Sequence, residues 1–388
     1  MGGGLMQLVA YGAQDIYLTG NPQITFFKVV YRRHTNFAME SIEQVFSGNV
    51  NLGKKTSCTI ARNGDLLGRM YLEADVKQLD TSTALSARVG HKIIDYVEVE
   101  IGGQCIDKHY GEWLDLWSQL TCCKDGFQKL DRLVNGSLVK NGAIKKLYIP
   151  LQFWFNRNPG LALPLIALQY HEVKLNVVLA NKEEVGFSGS EKITEICLYC
   201  DYIFLDTDER RRFAQVSHEY LIEQVQTTGT CSFPKGKSKV NIDLGFNHPV
   251  KELVWVVQSS DASGYDYAPS ATGVKEQIVK AKVQLNGHDR FRARSGSYFR
   301  CVQPYQHHTG GDRQDGSKED GYINTYSFAL KPEEHQPSGT CNFSRIDNAV
   351  LNMELSEDNN HGKDVRTYAV NYNVLRIMSG MGGLAYSN

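Results

Sequence analysis

The sequence lacks an excess of charge of either sign. Its 388 residues contain 42 Lys and Arg against 43 Asp and Glu, which gives a formal net charge of −1. Such a balance produces no general electric field that would attract nucleic acid or an anionic membrane. We therefore expect no direct binding of nucleic acid.

Long apolar runs and a secretory signal are also missing. No stretch approaches the roughly 18 apolar residues of a membrane span. The first six residues have no basic start, and Met6 stands where a myristoylation signal needs Ser or Thr. The nine cysteines are an odd number and are thinly spread. We expect free thiols, a reducing compartment and a soluble product without membrane insertion.

Complete catalytic and metal-binding motifs are absent. Four fragments of such motifs occur, and each lacks a required partner. They are Gly236-Lys237-Ser238, His171-Glu172, Cys197 with Cys200, and the adjacent His307-His308 without a companion acidic pattern. Cys231 replaces the leading glycine of the first fragment, and Leu175 replaces the second histidine of the second. Cys197 and Cys200 are three apart on a predicted strand, so they point to opposite faces. The sequence predicts no enzyme and no catalytic, cofactor-binding or metal-binding residue.

What the chain does contain is an internal repeat. Four short segments recur in the same order, between 170 and 184 residues apart. The pairs are residues 42–45 with 222–225, 99–103 with 283–287, 175–179 with 351–355, and 202–205 with 372–375. Collinear recurrence with drifting offsets is typical of duplicated domains whose loops have changed length. We infer a duplication of about 180 residues.

The two-residue alternation of apolar and polar side chains predicts strands throughout both copies. Gly102-Gly103 and Asn286-Gly287 follow predicted strands and suit tight hairpins with positive φ. Only residues 110–120 and 206–215 have a helical pattern, and the second is the predicted connector between the copies. About eight strands per copy favours an all-β fold of two tandem eight-stranded jelly-roll β-sandwiches, a double jelly roll with short connecting helices. A pair of seven-stranded immunoglobulin-like sandwiches is the alternative.

These patterns predict three parts of the chain. Residues 1–26 form an N-terminal arm, residues 27–212 the first jelly roll, and residues 213–388 the second. The glycine-rich arm has no steady apolar period, which indicates an extended segment. It is either a disordered tail or an arm ordered against a neighbouring subunit.

Two charged stretches remain to be interpreted. Arg210-Arg211-Arg212 follows Asp206, Asp208 and Glu209, which predicts a helix whose charges pair with each other. Arg290, Arg292 and Arg294 alternate on one side of an extended stretch. Like charges on one face repel each other unless something acidic lies opposite. This basic strip is either solvated or in contact with an acidic patch on a neighbour.

Long segments of the chain are similar to one known family. They are residues 7–15 (QLVAYGAQD), 18–28 (LTGNPQITFFK), 31–33 (YRR), 159–173 (PGLALPLIALQYHEV), 201–206 (DYIFLD), 218–224 (HEYLIEQ), 336–348 (QPSGTCNFSRIDN) and 371–386 (NYNVLRIMSGMGGLAY). Through them the chain closely resembles the major capsid proteins of nucleocytoplasmic large DNA viruses, most of all the chlorella-virus (phycodnavirus) type.

The resemblance implies a structural capsid protein of a large icosahedral double-stranded DNA virus. Such a protein forms pseudo-hexagonal homotrimeric capsomers that contact neighbouring capsomers and minor capsid proteins. Its location is the virion, after assembly in the host cytoplasm. The loops between Gln258 and Lys280 and between Leu355 and Tyr368 are short for this family, which leaves open a lower-copy paralogue at special shell positions.

A carbohydrate-binding or glycan-processing jelly-roll protein is the alternative from a different functional class. It would need clustered carboxylates or exposed tryptophans in a cleft. The four tryptophans, Trp113, Trp117, Trp154 and Trp255, lie in apolar segments, which favours a place in the core.

Overall fold

The computed structural model describes residues 3–10, 12–48, 50–77, 88–135, 144–185, 187, 192–260, 262, 264–268, 276–310, 322–356 and 361–387. It divides into two compact units, Met1–Asn36 and Phe37–Asn388.

Twenty strands are present in the described residues. They are β1 (Phe37–Gln44), β2 (Lys55–Thr59), β3 (Leu66–Lys77), β4 (Ile94–Ile101), β5 (Gln104–Tyr110), β6 (Ile144–Pro150), β7 (Leu163–Pro164), β8 (Val173–Leu179), β9 (Lys192–Leu205), β10 (His218–Phe233), β11 (Lys239–Asp243), β12 (Pro249–Ser259), β13 (Ile278–Leu285), β14 (His288–Asp289), β15 (Arg294–Ser295), β16 (Asn324–Ser327), β17 (Cys341–Asn342), β18 (Ala349–Leu355), β19 (Lys363–Met378) and β20 (Met381–Leu384).

The described helices are mostly short. The α-helices are α1 (Gly3–Val9), α2 (Ile16–Thr19), α3 (Val89–Lys92), α4 (Gly111–Thr121), α5 (Lys124–Val134), α6 (Trp154–Arg157), α7 (Lys182–Val185), α8 (Thr207–Gln215) and α9 (Gln303–His307). Two 3₁₀ turns, Pro159–Leu161 and Phe343–Arg345, and a π-helical turn, Tyr298–Val302, complete the set.

The strands form four antiparallel sheets that make two sandwiches. In the first sandwich, sheet 1A has the order β1-β9-β3-β6 and sheet 1B the order β2-β8-β4-β5. In the second, sheet 2A has the order β10-β19-β12-β16 and sheet 2B the order β11-β18-β13-β14. The short strands β7, β15, β17 and β20 add to the edges or ends of these sheets. Strand for strand, the two sandwiches have the same topology, that of an eight-stranded jelly roll.

This identity of topology confirms the predicted double jelly roll. The repeated segments occupy equivalent strands, since residues 42–45 begin in β1 and residues 222–225 lie in its counterpart β10. The two predicted hairpins are also confirmed. Gly102 and Gly103 have φ of 58° and 87°, and Asn286 and Gly287 have φ of 49° and 80°. Each pair is a two-residue turn, which requires positive φ at both positions.

Each sandwich encloses its own apolar core. Side chains at alternate positions of sheets 1A and 1B, such as Leu72, Leu198 and Val99, are almost completely buried between those sheets. Trp255 and Leu351 are buried in the same way between sheets 2A and 2B. The period-two pattern of the sequence therefore has its expected physical cause, a sheet with one face on the core.

The helical predictions are partly right. Helices α4 and α8 lie where residues 110–120 and 206–215 predict them, and α8 joins β9 to β10. The prediction of only two helices is wrong, because α5 and several single-turn helices are also present. Most residues of helix α5 are exposed, and only Phe127 and Val134 on it are buried. It also contains Gly126, a weak helix former. That apolar stripe is too sparse to distinguish a helix from a loop by sequence alone.

The N-terminal unit departs from the expected extended segment. It contains α1 and α2, which are closed by local hydrogen bonds such as Gly20 N–H to the Ile16 oxygen at 2.8 Å. Short helices of this kind leave little periodic signal in the sequence. The unit also exposes large apolar side chains, among them Phe26 and Phe27.

Candidate functional site

Helix α4 joins the two sandwiches. It lies between β5 and β6 of the first sandwich, and its apolar face packs on the outer face of sheet 2A. The cluster contains Trp113, Leu116, Trp117 and Leu120 from α4, and Val254, Val256, Tyr267, Ile323, Tyr368 and Val370 from the second sandwich. The four α4 positions have the spacing of one helix face. The contact therefore buries a helix stripe against sheet residues that would otherwise face water.

A buried carboxylate, Glu112, lies beside this apolar contact. The guanidinium of Arg366 donates through Nε to both Glu112 oxygens, at 2.9 and 2.6 Å. The hydroxyls of Tyr267 and Tyr368 donate to the same carboxylate at 2.8 and 2.5 Å. Glu112 comes from the first sandwich and its three donors from the second, so these hydrogen bonds fix the relative position of the two sandwiches.

A second buried carboxylate, Glu223 on β10, is surrounded by three basic side chains. Its oxygens lie 2.6 Å from Arg157 of α6, 2.8 Å from Lys251 of β12 and 3.3 Å from the His335 ring. Burial alone would raise the pKa of this carboxyl, but the surrounding cations hold the pKa well below its ordinary value. Since Arg157 belongs to the first sandwich, this network is a second charged link between the two.

His308 lies between two carboxylates next to that network. Its Nε2 is 3.0 Å from Glu252, and its Nδ1 is 3.1 Å from Glu333. Burial alone would lower the pKa of His308, but the two carboxylates outweigh it and raise the pKa to about 9. The sequence shows no acidic ligand pattern for a metal centre beside His307-His308, and the two carboxylates at His308 are ion-pair partners rather than such a pattern. These partners are far away in the chain, where no spacing pattern could reveal them.

His308 should make stability depend on pH. Because its folded pKa is raised above the ordinary value, its contribution is complete below about pH 6.5 and is lost as the pH rises through about 9. We expect the free energy of unfolding of the protein, relative to that of His308→Gln, to fall by about 3 kcal/mol across this window. Denaturant titrations at closely spaced pH values measure it. His288→Gln, at an exposed histidine, is the control, and a pH-independent difference for His308→Gln would contradict the expectation.

An open cleft of about 810 Å³ adjoins the Glu223 network and is also lined by Tyr71, Trp117 and Glu333. Glycoside hydrolysis needs a carboxylic acid whose pKa is raised. Here the basic partners of Glu223 hold its pKa below the ordinary value, and hydrogen bonds from His308 and Thr309 outweigh burial and lower that of Glu333. Glu223 and Glu333 are therefore engaged in ion pairs and hydrogen bonds and lack the raised pKa of a general acid.

The four tryptophans are core residues, as predicted. Trp113, Trp117, Trp154 and Trp255 are between 0% and 5% exposed. None of them offers an open ring face on which a sugar could stack. The structural feature that a carbohydrate-binding protein needs is therefore missing at these positions.

The other motif fragments are scattered over the molecule. Lys237 lies in an exposed turn between β10 and β11. His171 accepts a hydrogen bond from the Gly382 amide at 3.1 Å, which ties the first sandwich to β20 of the second. Cys200 is buried in the core and Cys197 lies on the opposite face of β9, as predicted. In the described ranges, no group of three or more His, Cys, Asp or Glu side chains could hold a metal ion.

The two charged stretches differ in how they are paired. Arg212 pairs with Glu209 within α8 at 3.7 Å, as predicted, but Arg210 pairs with Asp65 outside the helix at 3.0 Å. The basic strip, Arg290, Arg292 and Arg294, is exposed, and none of its members forms a salt bridge with another residue in the described part of the chain. Arg294 lies over the Tyr298 ring, 5.2 Å from its centroid, but no acidic partner of the strip is among the described residues.

No disulfide joins any of the nine cysteines. No helix in the described part of the chain is both long enough and apolar enough to cross a bilayer.

Two protein families match the chain. The family described as "Major capsid protein N-terminus" matches residues 25–206, and "Large eukaryotic DNA virus major capsid protein" matches residues 209–383. The major capsid protein of Pyramimonas orientalis virus is 56% identical over the full length of both chains. That of Paramecium bursaria Chlorella virus 1 is 46% identical, again over both full lengths.

A solved structure has the same fold. A chain in the quasi-atomic model of the PBCV-1 virus capsid superimposes with a TM-score of 0.82 at 42% identity, covering 94% of this chain and all of that one. The Faustovirus major capsid protein, at 13% identity, superimposes with a TM-score of 0.73 over 95% of this chain and 94% of that chain. The second likeness concerns the fold alone.

Proposed function

Because the chain belongs to the family of large eukaryotic DNA virus major capsid proteins, we propose that it builds the viral shell as a homotrimer. It is a structural capsid protein of the virion. The observation that carries the trimer is the repetition of one jelly-roll topology in two sandwiches of a single chain. Three such chains present six similar bodies, which approximate a hexagon and can tile a surface.

The charged junction between the sandwiches supports this proposal. A capsomer of six similar bodies needs a fixed angle between the two sandwiches of each chain. The hydrogen bonds of Glu112 and the ion pairs of Glu223 provide directional links across that junction. A head-to-tail contact between chains closes into a ring when its rotation, repeated at every step, completes one full turn, and a fixed angle within each chain keeps that rotation constant.

Further parts of the proposal concern the termini and the partners of the capsomer. Residues 27–212 and 213–388 are the two jelly-roll domains, and the N-terminal segment contacts a neighbouring subunit. The exposed Phe26 at the end of this segment, and the exposed Phe27 and Tyr31 just after it, support that contact, since exposed apolar patches mark interaction sites. Neighbouring capsomers and minor capsid proteins are the further partners, and assembly takes place in the host cytoplasm.

We assign no catalytic activity to the protein. The buried tryptophans and the lowered carboxyl pKa values at the large cleft support a structural role. Hydrolysis or tight binding of glycans by the isolated protein would overturn this part of the proposal.

The solution mass tests the homotrimer. Sedimentation equilibrium of the purified full chain should give three times the chain mass of 43.6 kDa. The dilution series serves as the internal control, because an obligate interface keeps the trimer intact over a wide range of concentration. A single-chain mass at the highest attainable concentration would refute the trimer.

A further inference from the structure

Because the chain is duplicated, the contact between its two sandwiches has a counterpart pair of surfaces. The first pair is in contact within the chain, and the counterpart pair is not. In the first sandwich, α4 follows β5 and packs on the outer face of sheet 2A. At the equivalent place in the second sandwich, between β14 and β16, the chain forms the basic strip, the π-helical turn and α9. The counterpart of sheet 2A is sheet 1A. Within one chain, the outer face of sheet 1A is not covered by the second sandwich's helical segment.

Equivalent residues show the difference between the two sheet faces. Glu43 on β1 lies opposite Tyr199, and its repeat counterpart Glu223 on β10 lies opposite Tyr372. Glu223 is 3% exposed and surrounded by cations, one of which, Arg157, comes from the other sandwich. Glu43 is exposed. It accepts from the Tyr199 hydroxyl at 3.3 Å and lies beside the Cys197 thiol, and no cation in the described residues forms an ion pair with it. The face of sheet 1A thus lacks the cations that cover its counterpart.

The outer face of sheet 1A is acidic and aromatic. Tyr71 stacks on Tyr199 with ring centroids 5.3 Å apart. The carboxylates on this face include Glu43, Glu73, Asp75 and Glu195. Lys146 pairs with two of them, and Lys77 and Lys192 lie opposite each other at the end of the face. The thiol of Cys197 lies among them, and burial together with the Glu43, Glu195 and Glu73 carboxylates raises its pKa to about 12. The centre of this face, around the Cys197 thiol, therefore carries an excess of negative charge.

The helical segment of the second sandwich carries the opposite charge. The basic strip precedes it, and Val302 and Tyr305 stand three positions apart on the helix, 40% and 89% exposed. Three positions is the spacing that places side chains on one helix face, as Trp113 and Leu116 are placed on α4. The segment therefore exposes arginines, Val302 and Tyr305 at the position where α4 carries its tryptophans.

We propose that the basic strip and the Val302–Tyr305 face of one copy dock on the outer face of sheet 1A of a second copy. The proposal rests on the proposed homotrimer and names the surfaces that meet in it. The two surfaces are different, so the contact is heterologous, and in the proposed homotrimer its repetition closes into a ring of three copies. Charge complementarity sets the register, and the exposed Tyr305 fills the centre of the contact.

Charge reversal on each surface tests the contact. We expect Arg290→Glu/Arg292→Glu, and separately Glu43→Arg/Glu195→Arg, to raise the trimer dissociation constant at least about tenfold, since like charges then face each other. Lys235→Glu/Lys237→Glu changes the same number of charges on an exposed turn of the second sandwich, and it should leave the constant unchanged. Sedimentation at several salt concentrations gives the dissociation constants.

Combining both charge reversals in one chain tests the contact more sharply than either reversal alone. A chain carrying both reversals has complementary surfaces again, so it should regain the trimer. Mixed with tagged wild type, it should form separate trimers, because each swapped surface repels its wild-type counterpart. Native mass spectrometry counts the mixed species, and free mixing would overturn the assignment.

The proposed function and the assignment fail in different ways. A monomeric wild type would refute both the proposed homotrimer and the proposed contact. If the wild type is a trimer and both reversed variants form equally tight trimers, only the proposed contact is refuted and the homotrimer stands. If a reversed variant does not fold, Tyr305→Glu replaces it, since that side chain is almost fully exposed in the single chain and its change should weaken the trimer without unfolding the subunit.

Discussion

Replacing Glu112 by alanine is expected to lower the free energy of unfolding by about 3–5 kcal/mol, because it leaves the largely buried Arg366 guanidinium without its counter-ion. The same change removes the acceptor of the Tyr267 and Tyr368 hydroxyls, which lie at 2.8 and 2.5 Å. Buried donors that lose their acceptor keep the full cost of desolvation. The effect should therefore exceed that of an ordinary salt bridge.

Chemical denaturation of the full chain measures this loss. The matched control is Glu334→Ala, which breaks the exposed pair between Glu334 and Lys331 at 2.9 Å. Exposed pairs contribute about 0–1 kcal/mol, so the control should remain close to the wild type. The double variant Glu112→Leu/Arg366→Met should recover part of the loss, because it removes both charges together. Equal effects of Glu112→Ala and the control would show that Glu112 does not link the sandwiches.

The sequence contained enough information for the architecture because each strand signal is local. Alternation in residues 70–76 reports a sheet with one buried face, and Gly102-Gly103 reports positive φ. The duplication then supplied a check, since an element found in one copy could be sought in the other. The four tryptophans were placed in the core for the same local reason, the apolar segments around them.

The junction between the sandwiches could not be predicted in the same way. Glu112 and Arg366 are 254 residues apart, and Arg157 and Glu223 are 66 apart. No spacing rule connects charges that meet only after both sandwiches have formed. His308 shows the same limit, because Glu252 and Glu333 approach it from different parts of the chain. The short helices of the N-terminal unit were missed for the opposite reason, since their hydrogen bonds are local but leave no apolar period.

Local apolar alternation and long-range ion pairs have different roles in the molecule. Apolar alternation builds each jelly roll separately and would allow several relative orientations of the pair. The buried ion pairs at the junction are directional and select one orientation. The proposed ring of three chains must reproduce the angle between the sandwiches, so that proposal depends on the junction residues that no local sequence pattern reveals.

Glu223→Gln is expected to lower the free energy of unfolding by about 3–5 kcal/mol at neutral pH, because it leaves buried cations without their anion. Lys251, which is fully buried, lies 2.8 Å from this carboxylate. Since the pKa of Glu223 is held below its ordinary value, its contribution is complete above about pH 4.5 and is lost as the pH falls further. The difference between the wild type and the variant should therefore shrink in acid.

The matched control is Glu219→Gln on the same strand, β10. Glu219 pairs with Arg376 at 2.8 Å, but both side chains are more than half exposed. Solvent screens such a pair, so the control should cost less than about 1 kcal/mol and show little acid dependence. Denaturant titrations between pH 3 and pH 7 distinguish the effects of the two substitutions on the free energy of unfolding. If Glu223→Gln cost no more than Glu219→Gln at pH 7, the carboxylate would not hold the sandwiches together. The fixed angle that the proposed three-chain ring requires would then have to come from the apolar face of α4 and the hydrogen bonds of Glu112.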